Sequence, residues 1–338
     1  DGADAHHCPA NASCAATHDS PALVFSAGGW RGNVFHDFNE NFIPLFITVD
    51  TFFPDRDFIL GIYNCSDWWL HHYRNLLSSY TIHPIINLDK ETTLHCFSSA
   101  IVGLVSHGPT IVDPTVQRGP HPKTLHDFRA FLIANYVQSH ATLLGKIMGD
   151  SALSLPWRSR HRPRLLIVNR GGTRRILNID DVYRVAEEMG FEVVVFEPSP
   201  TTSLHEAFRV VHSSHALIGV HGDALTNILF LRPGAVFMQM VPLKCGWLGN
   251  ICFGKMAIRL GLEYIIYEIR GHESAIELDN VTRDWLATRE DPMEQWAIYK
   301  RQLITLDLAR LKIYLERISD NPLTMATTQG LLKGLQVK

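Results

Sequence analysis

Three short segments of this chain carry residues suited to handling a charged leaving group. The first is Gly219-Val220-His221-Gly222-Asp223-Ala224-Leu225-Thr226-Asn227. A histidine beside a glycine sets a hydrogen-bond donor next to bare backbone, and an anion can approach both closely. The second is Asn169-Arg170-Gly171-Gly172-Thr173-Arg174-Arg175-Ile176-Leu177-Asn178. Its Gly-Gly pair lets the loop bend, and arginine's planar fork matches paired phosphate oxygens. Two such charges could balance a nucleotide diphosphate. Taken alone, the first segment also fits a plain βα turn with a structural histidine, and the second a solvated basic loop. The third segment, residues 28–41, sets His36, Asp37 and Glu40 at the start of a helical stretch. Asp37 or His36 could take a proton from an attacking hydroxyl. Asp37 and Glu40 equally suit helix capping and the helix dipole. His107, Gly108 and Asp113 lie in a loop that could join the same site.

The elements around these segments alternate in the second half of the chain. Apolar runs at 164–168, 191–196, 216–220, 235–241 and 263–267 read as strands. Helical periods at 179–189 (Asn178 or Asp180 capping, Gly190 closing), 203–212, 224–230 and 251–260 fall between them. Strands alternating with helices imply a parallel sheet covered on both faces, a Rossmann-like domain. Both basic and histidine segments then leave the carboxyl ends of its strands, where open α/β folds bind ligands. The first half predicts strands at 25–30, 57–63 and 82–87, helices at 68–79 and 124–147, and a helical period over 34–51 interrupted by Pro44. A proline-bounded basic stretch at 154–163 marks a linker. The expected domains are residues 1–160 for an acceptor and 161–290 for a nucleotide. A last segment, 291–338, carries a long helix over 292–319 that returns toward the first domain. Trp30, Trp68, Trp69 and Tyr73 could stack on sugar faces or fill the core.

With 46% hydrophobic and 19% charged residues in 338, a sizeable core is expected, and disorder is not. A net charge of −3 argues against a nucleic-acid footprint. Triplets at Asn11, Asn64 and Asn280 are acceptors for N-glycosylation, and the six cysteines fit no zinc spacing. Together they point to an oxidising secretory lumen. Cys8 with Cys14 and Cys245 with Cys252 are close enough for local pairs, leaving Cys65 with Cys96, one of fifteen pairings. No apolar run approaches the roughly 18 residues of a membrane span, and the sequence opens at Asp1 on a segment that does not read as a charged or apolar leader. A mature or truncated lumenal domain is expected. The missing G-x-G-x-x-G turn discourages a dinucleotide-dependent oxidoreductase.

Residues 25–48 (FSAGGWRGNVFHDFNENFIPLFIT), 169–181 (NRGGTRRILNIDD) and 219–242 (GVHGDALTNILFLRPGAVFMQMVP) jointly resemble glycosyltransferase family 61, in its plant xylan-decorating branch. The resemblance implies an α/β GT-B fold, two Rossmann-like domains facing across a cleft, and inversion at the anomeric carbon. It implies a UDP-sugar co-substrate, no essential metal or cofactor, and a xylan or xylo-oligosaccharide acceptor. It also implies a type II membrane protein of the Golgi lumen, and the N-terminal anchor of such an enzyme is expected to lie outside the sequence given. Arg170, Arg174, Asn178, His221 and Gly222 match the residues that contact UDP, with Thr226 and Asn227 on the helix behind. His36 and Asp37 match a His-Asp pair, with Asp37 the expected base and His36 its substitute. The donor is expected to be UDP-xylose, giving a β-1,2-linked product, with α-1,3-arabinofuranosyl transfer as the alternative. A lumenal glycan-binding protein without transfer is the alternative of another class. One departure is Asp223, where the motif has a small residue; its carboxylate is expected to turn away from a diphosphate.

Overall fold

The computed structural model describes residues 13–118, 120–148, 162–275 and 291–324. Cys8, the triplets' Asn11 and Asn280, and most of the stretch at 154–163 lie outside the described residues. The fold is mixed α/β with parallel sheets, and the chain divides into two compact units. One unit is Asp1–Arg31 with Glu40–Ser106; the other is Gly32–Asn39 with His107–Lys338. The helix Leu125–Met148 and the Gly32–Asn39 segment fall in the second unit, whereas the sequence places both within residues 1–160.

In the first unit the strands are β1 (Ala16–His18), β2 (Ala22–Ser26), β3 (Ile59–Tyr63), β4 (Ile86–Asn87), β5 (His95–Phe97) and β6 (Ala100–Val102). Four of them form a parallel sheet in the order β4-β3-β2-β6. Phe42, Trp69 and Tyr73 pack together in the core of this unit, with ring centroids 4.7–5.6 Å apart. Pro44 opens the helix Ile43–Phe52, and the turn before it, Asp37–Phe42, is π-helical. Proline has no N–H for the carbonyl of Glu40 and its ring crowds that oxygen, so a widened turn relieves both. The helix expected at 68–79 is broken at Tyr73 into Asp67–His72 and Arg74–Leu77.

The cysteine pairing is corrected by topology. β1 and β5 lie parallel with Thr17 opposite Cys96, which brings Cys14 to Cys96 as a disulfide with Cα atoms 5.7 Å apart. Cys65, Cys245 and Cys252 are free thiols, so neither Cys65–Cys96, Cys8–Cys14 nor Cys245–Cys252 forms. Burial pushes Cys65 and Cys252 up to about 11 and Cys245 up to about 12, which keeps all three protonated.

The second unit holds β7 (Arg164–Val168), β8 (Glu192–Phe196), β9 (Ala216–Val220), β10 (Val236–Val241) and β11 (Glu263–Glu268), all parallel, in the order β11-β10-β9-β7-β8. Leu165, Ile167, Ile218, Met238 and Ile265 bury one sheet face against the helices Ile179–Glu188 and Leu308–Ser319. On the helix Leu204–His212, Phe208 meets Phe230 and Tyr136 with centroids 5.7 and 5.9 Å away. The expected single helix over 292–319 is instead Pro292–Tyr299, a short strand β12–β13 pair (Ser274–Ala275 with Leu303–Ile304), and Leu308–Ser319 capped by Asp307. The break is tertiary in origin. Gln302 is buried and accepts from Ser274 Oγ (2.9 Å) and Leu243 N (3.2 Å), bonds a continuous helix would forfeit. No helix among the described residues is long and apolar enough to cross a membrane.

Candidate functional site

The strand order of the second unit sets where a ligand belongs. From β7 the chain crosses to β8 on one side, then returns to β9 on the other. Between the carboxyl ends of β7 and β9 the crossovers diverge, and the crevice there is the usual ligand position of open α/β sheets. Asn169 to Asn178 leaves β7 and His221-Gly222 leaves β9, so both chemistry-bearing loops meet at that switch point.

The two loops touch. Arg174 Nη1 donates to His221 O at 2.9 Å, and Arg170 lies directly over Gly222. A Cβ built at Gly222 would stand 2.3 Å from Arg170 Nη1, so glycine here makes room for a guanidinium. Gly172, at φ 75°, supplies the left-handed turn that folds the arginine loop back. Arg174 sits at φ 59°, its backbone N–H held by Gln302 O at 2.6 Å and its guanidinium over Trp296 at 5.1 Å. Burial, and then the neighbouring Arg170 charge, lower Arg174 to about 10, so it remains cationic.

The donors in this crevice are under-used. Arg170 Nε and Nη1 and Arg174 Nε are buried and have no hydrogen-bond partner, as is Thr226 Oγ1 on the helix Asp223–Phe230. Unpaired buried guanidinium N–H groups are costly, and an anion at the switch point would satisfy them. That helix is 3₁₀ rather than α. Asp223 does not turn away as expected: its Oδ1 is 3.5 Å from Arg170 Nη1, which corrects that reading. A carboxylate beside otherwise unpaired arginines is drawn toward them by charge.

His221 is buried, its Nδ1 2.7 Å from Gln239 Nε2 and its ring edge-on to Phe253 and Trp296 at 5.3 and 5.1 Å. Burial, and then Arg174 and Arg170, push it down to about 3, so the imidazole is neutral. The remaining residues carried by motif are placed less directly. Asn178 has its amide bonded at both ends to the backbone of Leu306 (2.9 Å each), holding the segment before the helix Leu308–Ser319. Asn227 is buried and donates to Ala224 O at 2.9 Å.

The His36-Asp37 turn belongs to the same unit. Asn33 caps the turn Val34–His36, which packs against the helix Asp223–Phe230. Phe35 meets Phe253 at 5.4 Å, and Phe253 meets His221, so the turn and the arginine crevice share one aromatic wall. Asp37 is 1% exposed and accepts from Gly32 N at 3.3 Å; His36 is half-buried. Thr110 fastens the turn from the other side, its N–H on Asn39 Oδ1 (2.8 Å) and its hydroxyl on Cys252 O (3.2 Å). His107 and Asp113 are tied to each other, Asp113 N donating to His107 Nδ1 at 3.0 Å. Of the aromatics, Trp69 and Tyr73 are core, while Trp30 is 67% exposed and Trp68 also faces solvent. Among the described residues no group of three or more His, Cys, Asp or Glu side chains could hold a metal ion.

Sequence reasoning missed Gln239, Gln302, Phe253 and Trp296. Only Gln239 left a signal, as a lone amide inside the apolar run Val236-Phe237-Met238-Gln239-Met240-Val241.

A family model described as Glycosyltransferase 61 matches residues 34–238. The chain is 36% identical over 265 residues to a xylan glycosyltransferase of Arabidopsis thaliana, covering 78% of this chain and 53% of that protein. It is 36% identical over 272 residues to an alpha-1,3-arabinosyltransferase of Oryza sativa subsp. japonica, covering 80% and 45%. A beta-1,2-xylosyltransferase of the same plant is 34% identical over 264 residues, covering 78% and 54%. The chain thus spans about half the length of the curated relatives it matches.

Proposed function

The chain belongs to glycosyltransferase family 61, and on that premise we propose that it is an inverting enzyme that transfers a pentose from a UDP-sugar to xylan. The observation that carries this reading is the set of buried guanidinium nitrogens of Arg170 and Arg174 that have no hydrogen-bond partner at the switch point between β7 and β9, with Asp223 Oδ1 3.5 Å from one of them. They lie against the His221-Gly222 turn, Arg174 on the His221 carbonyl and Arg170 over Gly222, and suit an anion of more than one oxygen. A nucleoside diphosphate meets that demand, and its charge grows as it leaves, so the same donors bind transition state more tightly than ground state.

In this reading the fold is GT-B, the second unit taking the donor and the first the acceptor. Trp30 follows β2, and the first unit's sheet has its own switch point between β2 and β6. An exposed indole there would stack on a sugar ring of the chain being decorated. The acceptor hydroxyl oxygen attacks the anomeric carbon from the face opposite UDP, the bond to the phosphate oxygen breaks, and UDP departs with its electron pair. Asp37 takes the hydroxyl proton. Because Asp37 is buried and His36 is not, His36 is the second reading for that role. Relatives include both a beta-1,2-xylosyltransferase and an alpha-1,3-arabinosyltransferase. We place UDP-xylose and a β-1,2 product first, with α-1,3-arabinofuranosyl transfer second, in the Golgi lumen.

The test is to incubate the protein with UDP-xylose or UDP-arabinofuranose and xylo-oligosaccharides and weigh the products. A gain of one pentose with UDP-xylose, abolished in Arg170→Ala, is expected. Gain only with the arabinose donor moves the specificity to the second reading. An acceptor that is bound but never gains mass makes the protein a glycan-binding module.

A further inference from the structure

Gln239 is 0% exposed in the middle of β10, where every neighbour along the strand is apolar. A buried amide at that depth persists only if its polar atoms are paired. Both are. Gln239 Nε2 lies 2.7 Å from His221 Nδ1, and Tyr264 of β11 donates its hydroxyl to Gln239 Oε1, also at 2.7 Å. The row runs across the sheet, from β11 through β10 to the end of β9.

The amide has little freedom to leave this row. A Cβ at Gly249 would come within 3.3 Å of Gln239 Nε2, and one at Gly254 within 2.9 Å of the Tyr264 ring. Those two glycines let the Gly246–Gly249 turn and the π-helical Asn250–Gly254 turn press onto the pair. Tyr264 in turn stacks on Phe237, with centroids 5.6 Å apart.

We infer that Gln239 and Tyr264 are positioning residues that hold His221 as the Nε2–H tautomer, aimed at the diphosphate. The row has a direction. A phenol that donates to Oε1 turns the amide nitrogen toward the ring, and Nδ1 must then accept. A neutral imidazole with Nδ1 accepting carries its proton on Nε2. Burial keeps the phenol protonated by raising it to about 12, and keeps the imidazole neutral. Without the row the ring could present either a lone pair or a proton to the arginine crevice, and only the proton suits an anion. The inference rests on the nucleotide reading above for what His221 donates to, but not for the tautomer itself.

Two readouts test it. Nitrogen NMR of histidine-labelled protein, with His221 assigned through His221→Asn, should show the Nε2–H tautomer in the wild type. UDP titration should show Tyr264→Phe, which removes one oxygen, losing about three- to tenfold in affinity, and Gln239→Leu losing at least as much. Tyr264→Phe leaves the buried Gln239 Oε1 without its donor, so its melting temperature should fall by a few degrees, and the His221 tautomer read by nitrogen NMR in that variant separates positioning from packing. An Nδ1–H tautomer in the wild type overturns the proposal. So does UDP affinity unchanged in both variants, with the nucleotide reading left intact. If the wild type binds no UDP yet shows an Nε2–H ring that Gln239→Leu releases, the nucleotide reading falls and the tautomer assignment stands.

Discussion

Asp223 and Arg170 form the contact in which this chain departs from the motif it otherwise follows. The pair is 3.5 Å apart and partly solvated, so its own contribution to stability is small. Its consequence is for the proposed binding: if a diphosphate is held by Arg170, it must compete with a carboxylate for the same guanidinium and is repelled by it. Asp223→Asn should therefore bind UDP more tightly, by about three- to tenfold. Calorimetric titration of wild type and variant decides; equal or weaker affinity in Asp223→Asn means that the carboxylate serves some other end, such as a sugar hydroxyl. The base is decided by a second pair of variants. Asp37→Asn keeps an acceptor for Gly32 N, so UDP affinity should persist while turnover falls by about 10²-fold. If His36→Gln shows that drop and Asp37→Asn does not, the half-buried histidine is the base and Asp37 its neighbour in the turn.

The two glycines flanking the His221 turn look alike in sequence and do different things. At Gly219, inside β9, a Cβ would meet Leu225 Cδ2 at 2.8 Å and the carbonyl oxygen of Val168 at 3.1 Å. Backbone cannot step aside, so Gly219→Ala should cost about 1–3 kcal/mol of stability, read by urea unfolding. At Gly222 the obstacle is the mobile end of Arg170. Gly222→Ala should melt near wild type yet lose UDP affinity, because the guanidinium moves; a large loss of stability with normal affinity would reverse that division. The βαβ run around these glycines was legible because fully buried parallel strands read as continuous apolar runs, as in Leu165-Leu166-Ile167-Val168. The break at Gln302 was not, since its partners Leu243 and Ser274 lie far along the chain. The same holds for the disulfide: nearness in sequence suggested local pairs, and the β1–β5 pairing decided otherwise. Arg170, Arg174 and His221 could be named from residue type and strand ends. Gln239 and Trp296 act through contacts only the folded chain creates.

Holding a neutral histidine among arginines has a consequence for the stability of the molecule in acid. His221, pushed down to about 3, and His72, His126 and His212, lowered first by burial, stay neutral in the fold when free histidine begins to protonate. Unfolding then takes up protons, so their contribution is complete above the unfolded pKa of about 6.5 and declines as pH falls below it. Carboxylates such as Glu91, Asp113 and Asp307 are lowered by hydrogen bonds, and their contributions decline only below about pH 4.5. Between pH 7 and 5 the histidines therefore dominate, and His221 alone should remove about 2 kcal/mol of stability across that interval. Urea unfolding at the two pH values measures it; coincident curves, or greater stability at pH 5, would mean that His221 is charged in the fold. His221→Asn should flatten the decline whatever it does to stability at pH 7. The burial that keeps the His221 imidazole uncharged, as the proposed donation to a diphosphate needs, also gives a fold that weakens as its surroundings acidify.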